Sequence, residues 1–245
     1  MSSQSLVSVI IPVFNAEKSI EKAIEGVLHQ THANKELIII DGGSTDRTLE
    51  IIKSFNGRIA QFQSEKDKGI YDAINKGLDL AEGEWIYILG ADDRLNNPEV
   101  IEKMLDAGTK NDKIIFGNVK NEGRLHSRIP EIHASTFDGN IRWRNTLHQQ
   151  AVFYHRSIFD DFRFDTTFKV LADYDLHLKL FIERVKWKKA PVIVAVCHAQ
   201  GLSKRFNRGL YKEELRMKKK RMGILFWAIS LPVVVGKYFF KKFTS

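Results

Sequence analysis

Cysteine is nearly absent: Cys197 is the single one in 245 residues. A disulfide framework is therefore excluded, and a reducing compartment fits. A chain of this length can bury about 70–75% of its unfolded surface without such staples. Cys197 sits in the apolar run VIVAVCHA, which reads as a small buried hydrophobe in preference to a nucleophile. The first residues, MSSQSLVSVIIPVFN, lack a basic n-region, so no secretory leader is expected. Internal repeats and low-complexity linkers are also missing. The body has little net charge. From Lys204 onward there are 12 Lys and Arg against 2 Glu, which leaves 26 basic and 28 acidic residues before it, so the formal +8 belongs to the C-terminal stretch. A nucleic-acid reader more often carries its positive charge on a folded face with aromatic platforms; a membrane surface is the better partner for this tail.

One further absence concerns membranes. No uncharged run reaches the roughly 20 residues of a clean span; Gly223 to Gly236 supplies 14, with Pro232 inside it. An interfacial or re-entrant helix is therefore favoured over a spanning one, and an extra helix packed on the domain is the remaining alternative. Basic clusters at Lys218 to Arg221 and at Lys241 and Lys242 suit anionic headgroups, and Trp227, Tyr238 and Phe239 suit the interface. Residues 1–205 read as the domain and 206–245 as the tail. A chain ending near Phe206 is expected to be soluble and to keep its ligand.

What is present centres on Glu84 to Arg94, EWIYILGADDR. Trp85 to Leu89 is an apolar run of strand length that stops at Gly90, before two adjacent carboxylates, Asp92 and Asp93. Neighbouring carboxylates in a partly dry cleft repel unless solvent or a cation lies between them, and a divalent metal resolves this. The other reading is a turn that caps the next helix.

Around that stretch, strands and helices alternate. Leu6 to Val13 reads as a strand, Ala16 to Gln30 as a helix, and Leu37 to Ile40 as a strand with Asp41 at its carboxyl end. Ser44 or Thr45 is placed to cap the following helix. Ile59 to Gln63 reads as a weaker strand, Ile70 to Ala81 as a helix, and Lys113 to Val119 as a strand after a helix opened by Asn97 and Pro98. This order predicts an α/β fold with a mostly parallel sheet and helices on both faces, whose ligands collect beyond the strand carboxyl ends. Arg124 to Asn145 has no sustained period and reads as hairpins or a loop. His148 to His155 returns to strand character, with Ser157 a candidate cap. Val170 to Arg184 reads as a helix carrying Asp173 and Asp175 in its first turn, and Pro191 to Ala199 as the last strand. Asp175, two residues past Asp173, points about 200° away on a helix and reads as a solvated acid.

SVIIPVFNAE, IIIDGGSTDRT, KGIYDAINKG, ILGADD and LADYDL, in that order, resemble glycosyltransferase family 2, nucleotide-sugar-dependent enzymes of the GT-A fold. The likeness covers about residues 6 to 205. It implies that Pro12, Phe14 and Glu17 surround the nucleobase and ribose and that Asp41 accepts hydrogen bonds from the base. Asp93 is implied as ligand to Mg²⁺ or Mn²⁺, Asp92 as a ribose contact, and Asp173 as the base that deprotonates the acceptor. Lys68 fits either a phosphate contact or an exposed lysine, His198 is implied at the metal or diphosphate, and His148 fits an acceptor contact, a phosphate contact or a structural role. Ala91 and Ala172 stand where relatives often carry acids. The Gln-x-x-Arg-Trp pattern of polymer-extruding synthases is missing after Asp173, which favours transfer of one sugar per encounter. The implied activity is inverting transfer from a nucleoside-diphosphate sugar, a UDP-sugar favoured, to an envelope-glycan or polyprenyl-linked acceptor at the inner face of the cell membrane. The competing readings are a basic membrane or nucleic-acid binding module and a silent sugar-nucleotide binder.

Overall fold

The structure, a computed structural model, describes residues 5–123, 130–198 and 208–244. Four parallel strands form one half of the sheet: β1 (Val7–Val13), β2 (Lys35–Asp41), β3 (Gln61–Ser64) and β4 (Trp85–Ile88), in the order β3-β2-β1-β4. β1 and β4 are buried along their whole length because helices cover both faces. On one face lie α1 (Ile20–Leu28), α2 (Thr48–Ser54) and α4 (Val100–Ala107), packed on Val9, Ile11 and Ile39; on the other lie α3 (Ile70–Leu80) and α5 (Ala172–Ile182), packed in the core that holds Ile10, Ile38 and Ile40.

The second half departs from the predicted parallel order. β8 (Val152–His155) runs antiparallel between β4 and β6 (Ile114–Glu122), and β9 (Trp187–His198) pairs parallel with β6 and antiparallel with the short β5 (Arg94–Leu95). The weakly periodic stretch before β8 holds the two-residue β7 (Ile132–His133), paired with β6, and a 3-10 turn at Gly139–Arg142. Part of it, 124–129, lies outside the described residues.

Three local readings are corrected. α1 begins at Ile20, not Ala16, because the amides of Asn15 and Glu17 are taken by Ser44 and Asp46 of the next loop and that of Ala16 by Thr48 at the start of α2. Ser44 and Thr45 do not cap α2: Ser44 is spent on Asp41 and the Thr45 amide donates to Asn15, while Asp46 accepts the Thr48 amide at 3.0 Å. After β8 the cap is His155, whose Nδ1 accepts from the Ser157 amide; Ser157 is not the cap.

The C-terminal stretch gives the largest correction. α6 (Arg208–Thr244) is broken at Gly223, whose φ of 81° is left-handed, so it forms two limbs, 208–222 and 224–244. The first limb is packed on the body. Arg221 donates to both oxygens of Asp175 at 2.6 and 2.5 Å, so Asp175 is a buried ion-pair partner instead of a solvated acid. Glu213 accepts the amides of Lys169, Val170 and Leu171 at 2.9, 3.1 and 3.3 Å, directly ahead of α5. The second limb folds back along the first: Lys218 and Lys237 both reach Glu214 and the carbonyl of Trp143, and the Tyr211 and Tyr238 rings meet at 5.4 Å. The predicted division at 205/206 lies outside the described residues, but 208–222 behave as part of the body. Lys218 is also taken from the expected headgroup cluster, because it is fully buried.

Candidate active site

The first part of the site is built where β1 and β2 end side by side. Pro12 is buried inside β1, and Phe14, one residue past the strand, stands 60% exposed. Asn15, with φ of 48°, turns the chain so that its side-chain oxygen accepts the Thr45 amide at 2.8 Å. Glu17 accepts the Arg47 amide, which joins the loop after β1 to the loop after β2. Asp41, fully buried, holds that second loop: it accepts from the Gly43 amide at 3.0 Å, the Ser44 amide at 3.1 Å, the Ser44 hydroxyl, and Ser64 Oγ at 2.7 Å. Gly43 has a left-handed φ of 86°, which a side chain would strain. Phe14, Glu17 and Asp41 are thus gathered at one end of the sheet. Lys68 sits on the rim, its side chain exposed and its amide bonded to Asp72.

The carboxylate pair follows β4, the strand beside β1. A Cβ added at Gly90 would lie 2.7 Å from Asp93 Oδ2, 3.2 Å from Asp92 Oδ1 and 3.3 Å from Gln150 Nε2, so both acids converge on space that only glycine leaves open. Asp92 is exposed and Asp93 buried, with Asp93 Oδ1 accepting the His198 amide at 2.9 Å. His198 therefore touches Asp93 through its main chain, while its ring lies toward Gly123. Among the described residues no group of three His, Cys, Asp and Glu is arranged to hold a metal. Two carboxylates still fit Mg²⁺ or Mn²⁺, which commonly take one or two protein oxygens and complete their shell with water and substrate phosphates.

Asp173 stands at the start of α5, partly exposed at the cleft. Desolvation pushes its carboxyl up to about 6, against hydrogen bonds from the Tyr174 amide, Tyr71 and Asn145 that pull it down. The bonds are long: Tyr71 Oη lies 3.4 Å from Oδ1 because its proton goes to the Val170 carbonyl at 2.7 Å, and Asn145 Nδ2 is 3.2 Å from Oδ2. Asn145 is itself oriented. Its Oδ1 faces His177 Nδ1 and the Leu147 amide, both at 3.4 Å, which turns the amide nitrogen to Asp173. Burial holds His177 near 3, hence neutral, with neighbouring His148 lowering it further; its Nε2 then accepts from Tyr154 Oη at 2.7 Å. His148 packs edge-on against His133 at 5.6 Å.

Sequence reasoning missed Tyr71, Asn145 and Gln150. Tyr71 lay inside the KGIYDAINKG segment and could have been found there; the other two fall in or beside the stretch with no periodicity. Two cavities, of about 520 and 310 Å³, lie elsewhere, against Phe181 and Met222 and against Ile86 and Arg163. Asp92, Asp93 and Asp173 line neither of these cavities.

The family model for Glycosyl transferase family 2 matches residues 8–171, stopping two residues before Asp173. A PGL/p-HBAD biosynthesis glycosyltransferase of Mycobacterium tuberculosis is 31% identical over 192 residues, covering 71% of this chain and 69% of the relative. Chondroitin synthase of Escherichia coli is 32% identical over 183 residues, covering 71% of this chain but 26% of its own. Among solved structures, S. aureus TarS 1-349 in complex with UDP-GlcNAc superposes with a TM-score of 0.68 at 18% identity, covering 88% of this chain and 66% of that one. The mannosyltransferase PcManGT from Pyrobaculum calidifontis, in complex with GDP-Man and Mn²⁺, gives 0.61 at 18% identity, covering 95% of this chain and 69% of that one. At these identities the two structures speak to the fold.

Proposed function

The chain belongs to glycosyl transferase family 2 and is a glycosyltransferase of the GT-A fold, and from that premise we propose that it moves a single sugar, with inversion, from a nucleoside-diphosphate donor to an envelope-glycan or lipid-linked acceptor. The observation that carries this is the gathering of Phe14, Asp41, Asp92 and Asp93 at the ends of three adjacent strands, with Asp173 presented separately on α5. Family membership sets aside the reading as a bare membrane or nucleic-acid module, and the retained Asp93 and Asp173 argue against a silent binder.

In this reading Phe14 offers an aromatic face to the base, Asp41 fixes the loop that receives it, and Asp92 reaches the ribose. Asp93 would hold Mg²⁺ or Mn²⁺; when bound, the ion supplies Lewis-acid neutralisation of the diphosphate charge. Asp173 takes the proton from the acceptor hydroxyl as that oxygen attacks the anomeric carbon from the side opposite the diphosphate. A carboxyl poised near 6 is ionised at neutral pH yet basic enough to accept a proton. A uridine donor is the reading put to the test below. The basic and apolar stretch 206–245 keeps the enzyme at the inner face of the cell membrane, within reach of a membrane-borne acceptor.

The test is a panel of UDP-, GDP- and CDP-sugars offered with and without Mn²⁺, read by thermal shift and by mass spectrometry of products. Metal-dependent stabilisation by one donor class is expected, lost in Asp93→Asn without loss of the fold. Unchanged donor affinity of Asp93→Asn in Mn²⁺ would remove Asp93 from the metal, and no response to any donor would sink the reading.

A further inference from the structure

The exposed apolar residues of this protein are not spread evenly. Ile224, Leu225, Ile229, Val233, Phe239 and Phe240 all belong to the second limb of α6, and Leu225 is 80% exposed. Along the helix, 225, 229, 233, 236 and 240 follow one another at spacings of three and four, which is a single continuous face. Its opposite side is spoken for: Ser230 and Val234 are buried, Lys237 reaches Glu214 and Tyr238 meets Tyr211, all toward the first limb. Charge lies on the side away from the face: Lys212 and Lys219 are exposed on the first limb, and Lys219 Nζ lies 5.8 Å from the centre of the Trp227 ring, two residues past Leu225 and so turned about 200° from it.

By length and composition alone, the stretch Gly209–Phe240 could cross a membrane. The hairpin forbids that in this fold. A limb that crossed the bilayer from Gly223 would carry Lys237 about 21 Å away from the turn along the helix axis, whereas Lys237 is held against Glu214 and the Trp143 carbonyl on the body. The first limb cannot follow it into lipid either, being fixed to α5 through Arg221 and Glu213. We infer that the second limb is a docking surface for an anionic bilayer, lying in the plane of the headgroup boundary with its apolar face in the acyl region and the first-limb lysines over the phosphates. This rests on the reading of 206–245 as membrane-contacting and adds which limb and which face meet the lipid. A helix with a wide apolar face and cations on its other side is the kind of element that binds in this manner. One consequence is geometric: the limb that touches lipid is joined through a single glycine to the limb that fixes the N-terminus of α5, so the cleft would be held at a set height above the membrane.

The experiment uses the full chain and vesicles of phosphatidylcholine alone or mixed with phosphatidylglycerol. Co-sedimentation with the anionic vesicles is expected, weaker on the neutral ones, and lowered at least about tenfold by Leu225→Glu with Ile229→Glu, which places charge on the apolar face. Both residues are exposed, so donor-induced thermal stabilisation should be unaltered in that variant. Single fluorophores on cysteines at 225, 229, 233 and 240, in a Cys197→Ser background, should report one shallow depth against lipids carrying nitroxide quenchers at graded positions. Depths that run through the bilayer centre would overturn the in-plane orientation while leaving membrane contact standing. No binding to either vesicle would overturn both, and equal binding to both would overturn the anionic partner. A discrete dimer in detergent-free buffer, dispersed by the same double substitution and indifferent to vesicles, would assign the face to a second copy of the chain instead.

Discussion

In the half of the cleft built from residues 7–123, Asp41 is held by Gly43, Ser44 and Ser64, and the loops after β1 and β2 are laced by Asn15, Glu17 and Asp46. In the other half Asp173 faces Tyr71 and Asn145 through bonds longer than 3 Å, and its neighbour Asp175 depends on Arg221. The first arrangement spends many hydrogen bonds on keeping a loop rigid, Asp41 alone accepting from four groups. The second leaves a carboxylate poorly satisfied in a partly dry place, which is what a proton acceptor near neutral pH requires. Rigid reception and a strained base are thus divided between two parts of one sheet, and the strained part is braced by the first limb of α6.

The largest expected effect follows from that brace. Arg221→Ala leaves Asp175 buried, with 1% of its side chain exposed, and without its cation. Removing one partner of a buried pair typically costs about 3–5 kcal/mol. Urea unfolding at neutral pH should show a loss of that size, and the apolar double substitution Asp175→Leu with Arg221→Met should recover most of it. A loss under about 1 kcal/mol, the worth of an exposed pair, would mean that α6 is an appendage after all. A chain ending near residue 206 should lose at least as much, since it forfeits Arg221, Glu213 and the buried Met217 together. The sequence-based expectation that such a chain keeps its donor is therefore replaced by one of a destabilised body.

Asp173→Asn separates the two halves chemically. Transfer should fall at least about 10²-fold while donor affinity changes little, because a general base is lost and the nucleotide loops are untouched. The fold should respond in the opposite direction. With its folded pKa raised from 3.8 to about 6, chiefly by desolvation, the carboxyl favours the folded state below the unfolded value, and that contribution is lost as pH rises through 6. At neutral pH the ionised group is thus a burden on the order of 1–3 kcal/mol. The Asn variant should melt higher than the parent above pH 6, with the difference closing toward pH 4. Equal melting temperatures across that range would show that Asp173 is not desolvated.

How far the chain could be read in advance follows the same division. The strands β1, β2 and β4 and the acids at their ends are local patterns: an apolar run, a glycine, a carboxylate. Asp41 is bonded to residues two and three positions away. Asp175 was misread because its partner lies 46 positions on, and helical spacing alone turns it to the far side of Asp173 without saying what waits there. β8 entered the sheet antiparallel for a reason equally remote, since its pairing with β4 and β6 is set by where the chain returns from. The hairpin in α6 did have a local sign: a glycine just after the basic run Lys218 to Arg221 is the composition of a helix C-terminus.

The smallest effects give the sharpest contrast. Asn145→Ala removes a donor to Asp173 Oδ2 at 3.2 Å, and Ser64→Ala removes a donor to Asp41 Oδ2 at 2.7 Å. Each costs about one hydrogen bond, roughly 1 kcal/mol, so the stabilities of the two variants should be similar. Their pH–rate profiles should differ. Asn145 favours the ionised form of Asp173, so its loss should push the acid limb of the kcat/KM profile upward from near 6, leaving less active base at pH 7. Ser64 touches only the loop-holding carboxylate, so Ser64→Ala should raise the donor KM a few fold and leave that limb where it is. The neutral His177, which orients Asn145, predicts that His177→Phe moves the limb the same way as Asn145→Ala, since the amide then loses the contact that turns its nitrogen to the base. Identical acid limbs in Asn145→Ala and Ser64→Ala would place the titrating group outside α5 and undo the division between the two halves.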